Sequence, residues 1–175
     1  MTEVFYFQYM KRALLISFLV MVLMILAMRW QGHSLVTPVS PRGIVDLEFA
    51  RTQARLDQLR LFWNFGDILI NIWLDFVFIA AYTWFFINGC RFVKHYLKLE
   101  TWSDRFISIA IAAAFFDVCE NFLMLLILNG SFSTSILPVV FYCALLKFIL
   151  AGLVVLFLML TLPVALLYKK RRIIP

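Results

Sequence analysis

The sequence predicts an all-α fold: a four-helix transmembrane bundle with an extra amphipathic helix in the first extracytoplasmic loop. Three observations predict it. The 175 residues are 64% hydrophobic and 15% charged, with a mean hydropathy of +0.93, where a soluble domain is about 45–50% apolar. Four apolar stretches, about 13–30, 61–88, 106–128 and 138–168, reach the roughly 20 helical residues needed to cross about 30 Å of hydrocarbon. Short basic runs flank these stretches rather than forming one patch, so residues 1–175 read as a single integral membrane domain with no nucleic-acid partner.

The first stretch follows Lys11 and Arg12 and so imitates a signal peptide. It is long, ends in Met28-Arg29-Trp30, and no small-x-small cleavage site follows it. It reads as a retained helix. After Ser17 it is wholly apolar until Arg29, which predicts a place at the lipid-facing periphery.

Residues 31–60 form the sizeable polar stretch. "TPVSPRG" has turn chemistry, and Ser40-Pro41 predicts an N-cap with proline in the first helical position. Val45, Phe49, Leu56 and Leu59 then recur at helical spacing while Asp46, Arg51, Arg55 and Asp57 take other faces. This predicts an amphipathic helix over about 44–60, covering the outer mouth of the bundle or lying in the interface.

The second span carries Asn64, Asp67, Asn71, Asp75 and Tyr82 at separations of 3, 4, 4 and 7, which stacks them on one helix face. The third presents Asp117, Glu120 and Asn121 at i, i+3 and i+4, after a small-residue run, Ala110, Ala112, Ala113 and Ala114, that permits close helix approach. The fourth holds Tyr142, Cys143 and Lys147, then Ala151-Gly152 and Pro163.

Orientation follows from the basic residues. Lys11 and Arg12, the group Arg91, Lys94, Lys98 and Arg105 between spans 2 and 3, and Lys169 to Arg172 after span 4 place both termini in the cytoplasm. Arg42, Arg51, Arg55 and Arg60 are then outside, partly balanced by Asp46, Glu48 and Asp57. The uncharged "NGSFSTSIL" also falls outside, and its Asn129-Gly130-Ser131 match to a glycosylation acceptor is too short to carry weight.

No metal or cofactor is expected. Cys90, Cys119 and Cys143 form no ligand spacing, neither His33 nor His95 lies in a span, and the stripe Met21, Met24, Met28 reads as packing. There is no HExxH, GxSxG or phosphate-binding glycine loop.

The intramembrane polar residues are the candidate site. At about 1.5 Å per residue, Asp117, Glu120 and Lys147 fall roughly 17, 12 and 14 Å below the outer hydrocarbon surface, Asp75 about 20 Å and Asp67 about 8 Å. One ammonium therefore faces four carboxylates, so the set is expected to hold Lys147, one or two charged partners and a neutral acid. Asn64, Asn71, Asn121 and Tyr142 are expected to add hydrogen bonds. Ionisable groups in spans usually mark substrate or ion pathways, proton relays or ligand counter-ions, and interhelical glue is the plainer alternative.

The blocks "SPRGIVDLEFA", "LDFVFIAAY" and "FDVCENFLML", followed by a lysine in the last span, resemble a family of small bacterial four-helix integral membrane proteins of unassigned activity, over residues 37 to about 150. The resemblance implies a bacterial inner-membrane location and places Glu48, Asp75, Asp117, Glu120, Asn121 and Lys147 in the family pattern. It implies no reaction.

The expected function is binding of a lipid-like or cationic small ligand by Glu48, Asp67, Asn71, Asp75, Asp117, Glu120, Asn121 and Lys147, with Glu48 and Arg51 closing the site. Membrane lipids are expected partners, with a homo-oligomer or a membrane-protein partner also open. Three alternatives stand: a membrane enzyme using Glu120 or Asp117 with Asp75 for acid-base work on a lipid, a transporter or channel, which four helices would form only as an oligomer, and a structural or accessory subunit.

Overall fold

Continuous apolar sequence with few helix breakers produces long helices, and these dominate the fold. The computed structural model describes residues 3–130 and 136–172, with side chains described over 8–130 and 136–167. Residues 131–135 of the third loop, Ser131 among them, and the side chains of Lys169 to Arg172 lie outside the described residues.

The order is α1 (Glu3–Gln31), a 3-10 turn (Gly32–Leu35), α2 (Val45–Glu48), α3 (Gln53–Phe62), α4 (Phe65–Leu97), α5 (Glu100–Leu128) and α6 (Leu137–Arg172). The described residues contain no strand. Four helices are long and apolar enough to cross a membrane, at Gln8–Leu35, Phe65–Leu97, Glu100–Leu128 and Leu137–Leu167.

The first span runs over Gln8–Leu35 rather than 13–30 and the second reaches Leu97 rather than 88, and two of the span starts differ from the sequence expectation for a local reason. The second span starts at Phe65 rather than 61 because Trp63 and Asn64 are extended and the Asn64 side chain caps α4, accepting from Gly66 N at 2.8 Å. The third starts at Glu100 rather than 106 because the basic loop is only a tight turn. Lys98 ends α4 in the left-handed conformation, φ 57°, and α5 begins two residues later. Arg91, Lys94 and Arg105 are thus helical, and Lys94 Nζ pairs with both oxygens of Asp104 across the turn, at 2.8 and 2.7 Å.

α4, α5 and α6 pack on one another, whereas α1 packs chiefly on α4. α1 keeps Leu15, Leu19, Leu23 and Leu26 exposed, as its apolar sequence predicts for the outermost helix. The small-residue stretch of α5 acts as expected, since Ala110 and Ala113 are fully buried and Val154 of α6 is buried in the same apolar core as Ala110. Phe106 and Phe157 stack beside them with centroids 4.0 Å apart.

Close approach of α4 and α6 rests on Gly89. A Cβ there would lie 3.0 Å from Leu158 Cδ2 and 3.1 Å from Cδ1. Gly89→Ile is expected to push these helices apart and cost about 1–3 kcal/mol of stability, read as a fall in the detergent melting temperature. Leu158→Ala in the same chain should recover most of the loss; no recovery would mean that the contact is not the cause.

The connection between α1 and α4 is ordered and folded into the protein. The sequence predicts one amphipathic helix over about 44–60; the segment instead forms two short helices, α2 and α3, separated by residues 49–52. The break follows from Thr52, which is extended and whose hydroxyl caps α3 by accepting from Arg55 N at 3.3 Å. α3 buries Leu56 and Leu59, but its outer side includes exposed Leu61 and Phe62 beside Asp57 and Arg60.

Ser40 is not the expected N-cap, because residues 40–43 form a turn, Gly43 N to Ser40 O at 3.0 Å, with Gly43 at φ +61°. The buried Ser40 hydroxyl donates instead to Leu35 O at 2.8 Å, and the Trp63 indole N–H reaches both Leu35 O (2.8 Å) and Ser40 Oγ (3.0 Å). Buried Asp46 accepts from the Arg42 backbone N–H at 2.9 Å and pairs with the Arg42 guanidinium at 2.9 Å. Arg55 holds Val39 O at 2.7 Å. With Ser40, Asp46 and Trp63 hydrogen-bonded in this way, the connection buries Leu35, Leu47, Ala50, Leu56, Leu59 and Trp63 in one core with residues of α4, α5 and α6. A second apolar core, built on Phe86, Phe92, Ala110, Val154 and Leu158, fills the opposite end. Phe76 borders both.

Candidate functional site

A charged cage is held by side chains from α4, α5, α6 and α2. Its hub is Lys147, 6% exposed, ten residues into α6 and hence about 15 Å along that helix from Leu137. Its Nζ lies 2.8 Å from Asp117 Oδ1, 2.9 Å from Glu120 Oε2 and 3.4 Å from Glu48 Oε1. Asp117 and Glu120 are neighbours because they are one turn apart on α5. Glu48 arrives because α2 runs back down beside α6, where Phe49 packs against Phe141 and Phe148 at centroid distances of 5.4 and 6.0 Å.

A second layer surrounds the hub. Tyr82 of α4 donates to Asp117 Oδ2 at 2.9 Å, so both oxygens of Asp117 are engaged. Asn121 donates to Asp75 Oδ2 at 2.7 Å, linking α5 to α4. Asn121 is buried and Asp75 half-buried.

The acids are not equally satisfied. Glu120 is 0% exposed, and Oε2, although within ion-pair distance of Lys147, is not aligned as a hydrogen bond. Glu120 Oε1 and Glu48 Oε2 have no hydrogen-bond partner among the described residues. A buried polar atom without a partner costs about 1–3 kcal/mol, and more when charged, so these oxygens are where a proton or an incoming donor gains most.

Burial lifts the Glu48 carboxyl above its ordinary 4.5; the Lys147 ammonium opposes that rise and the Asp117 carboxylate adds to it. A carboxyl that binds its proton more tightly folded than unfolded contributes stability that is complete below its unfolded value and lost as pH rises through the folded one. The melting temperature in detergent is therefore expected to fall as pH is raised above 4.5, and Glu48→Gln should flatten that dependence. An unchanged slope in the variant would remove Glu48 as its source.

The structure brings Glu48, Asp75, Asp117, Glu120, Asn121 and Lys147 together, and leaves other sequence-predicted residues elsewhere. Asn71 is buried but donates to Gln31 Oε1 of α1. Asp67 sits in the first turn of α4, where its backbone carbonyl accepts from Gln31 Nε2 at 2.9 Å. Neither Asn71 nor Asp67 meets the cage, because the C-terminal end of α1 takes up that part of the α4 polar face. Asn64 is an exposed cap, and Tyr142 is 61% exposed on the outer face of α6. Arg51 lies over the Phe141 ring at 3.5 Å.

Gln31 and Arg60, whose guanidinium donates to Ile127 O at 2.9 Å, are tertiary anchors that sequence reading missed. Polar residues beside a helix end give no distinctive signal. The three cysteines are free thiols, and no group of three or more His, Cys, Asp or Glu among the described residues has metal-site geometry.

Comparison with known protein families, curated proteins and solved structures finds no match.

Proposed function

We propose that this integral membrane protein binds a small cationic or lipid-like ligand through the carboxylates around Lys147. One observation carries the reading. Glu120 is completely buried yet has an oxygen without a hydrogen-bond partner among the described residues, and Glu48 has another, within a set of four acids that contains one lysine. A group built only to hold helices together gains nothing from leaving buried acceptors unmatched. An ammonium with an apolar body would supply donors to both oxygens and place its chain among the flanking cores. Asp75 and Asn121 would complete the polar wall, and residues 44–60 would close the outer end over the ligand. In this reading the termini are cytoplasmic, the setting is a bacterial inner membrane, and the chain belongs with the small bacterial four-helix proteins it resembles.

A structural role is the second reading, favoured by the full engagement of Asp117 between Lys147 and Tyr82. Native mass spectrometry from mild detergent separates the two, with wild type and Glu120→Gln each challenged by dodecylamine and by dodecanol. Ligand binding predicts a dodecylamine adduct on the wild type, loss of that adduct in Glu120→Gln, and no dodecanol adduct. Equal adducts on both proteins, or none on either, favour the structural role.

A further inference from the structure

At the end of the bundle away from the cage, a cavity of about 370 Å³ lies between α1 and the turn joining α4 to α5. Its floor is α4, where Arg91, Lys94 and His95 stand at i, i+3 and i+4 on one face, and Lys98 lines it from the left-handed cap that ends the helix. Its opposite wall is α1, with Tyr9, Met10 and Ala13. One side is therefore cationic and the other apolar and aromatic.

The charges are unevenly committed. Lys94 is held by Asp104, and one carboxylate, Glu100, shares the lining. Arg91 and Lys98 make no ion pair among the described residues, so among these the lining carries more cationic than anionic charge. These residues lie where the apolar parts of α1 and α4 give way to polar ends, the level of lipid headgroups if these helices span a bilayer.

We propose that this cavity is a binding site for the headgroup of an anionic phospholipid. The phosphodiester sits against Arg91 and Lys98, Tyr9 borders the headgroup, and the acyl chains run along the exposed apolar surface of α1 and α4. Basic pockets between spanning helices are suited to this chemistry, with each Lys or Arg near an anionic surface contributing about 1 kcal/mol. A free inorganic phosphate would find the same cations but would not use the apolar wall. The site stands apart from the Lys147 cage and does not depend on what the cage binds.

The test is native mass spectrometry of the full chain titrated with phosphatidylglycerol, with phosphatidylcholine of identical acyl chains, and with inorganic phosphate as competitor. The wild type should prefer phosphatidylglycerol by about tenfold or more, as expected for two cations. Arg91→Gln combined with Lys98→Asn should bring the two lipids to near equality. Asparagine is chosen because it tolerates the left-handed conformation at position 98. Arg91→Lys, which keeps the charge, should retain most of the preference and gives a reading should the double variant fold poorly. Equal binding of the two lipids by the wild type, or an undiminished preference in the double variant, overturns the proposal. Displacement of phosphatidylglycerol by millimolar phosphate overturns the lipid assignment in favour of a soluble anion.

Discussion

Lys147→Met is expected to destabilise the protein by about 3–5 kcal/mol at neutral pH, the range for removing one partner of a buried ion pair. The variant keeps the unbranched apolar stem of the side chain but deletes the ammonium that lies within 3.4 Å of Asp117, Glu120 and Glu48. Three buried carboxyl groups then face one another without a cation. Tyr82 still donates to Asp117, but no described residue donates to Glu120. Chemical denaturation in a fixed detergent reads the loss. Combining Lys147→Met with Asp117→Asn and Glu120→Gln should restore more than half of it, because the repulsion disappears with the charges. A Lys147→Met protein as stable as wild type would show that the cage does not hold its charges in this arrangement.

Leu59→Ala is expected to release the connection between α1 and α4 while leaving the long helices in place. Leu59 is 0% exposed, in the core that joins α3 to α4, α5 and α6. α3 carries Arg55, Asp57 and Arg60, so its unfolded state is hydrated. The full water-to-core transfer term therefore applies, and truncation should cost about 2–5 kcal/mol. Hydrogen exchange should accelerate over residues 45–62, with protection of α4, α5 and α6 retained. Glu48 reaches Lys147 only while this segment is docked, so the same variant should lose the Glu48-dependent fall of stability with pH. Unchanged exchange over 45–62 would mean that Leu59 does not hold the segment.

These expectations show which levels of the structure local sequence can reach. Long helices were legible because apolar runs with few breakers have one low-energy solution in an apolar solvent, where every backbone group must be satisfied within the segment. The meeting of Asp117, Glu120 and Lys147 was legible too. Residues on facing helices at similar distances from their helix ends come level, and buried charges seek partners. Asp75 with Asn121, and Tyr82 with Asp117, were legible only as residues on polar helix faces, and the structure made the pairs.

Asn71 and Asp67 share the α4 face with Asp75, yet the C-terminal end of α1 reaches them first through Gln31. Helical periodicity specifies a face but not which neighbour covers it. Glu48 shows the reverse case. It lies almost a hundred residues before Lys147, in a segment whose pattern suggested a single surface helix, and it reaches the cage only because Thr52 breaks that helix and Phe49 docks on α6.

By itself the sequence determined the all-helical architecture, the number of helices able to span a membrane and the carboxylates and lysine at their centre, because these depend on hydrophobicity, backbone hydrogen bonding and helical rise, all local properties. Only the tertiary structure decided that Glu48 joins the cage, that Asn71 and Asp67 do not, and that Glu48 and Glu120 are the acids left with unmatched oxygens among the described residues. Those outcomes depend on how rigid elements compete for the same surface, and that competition is settled by packing across the whole molecule.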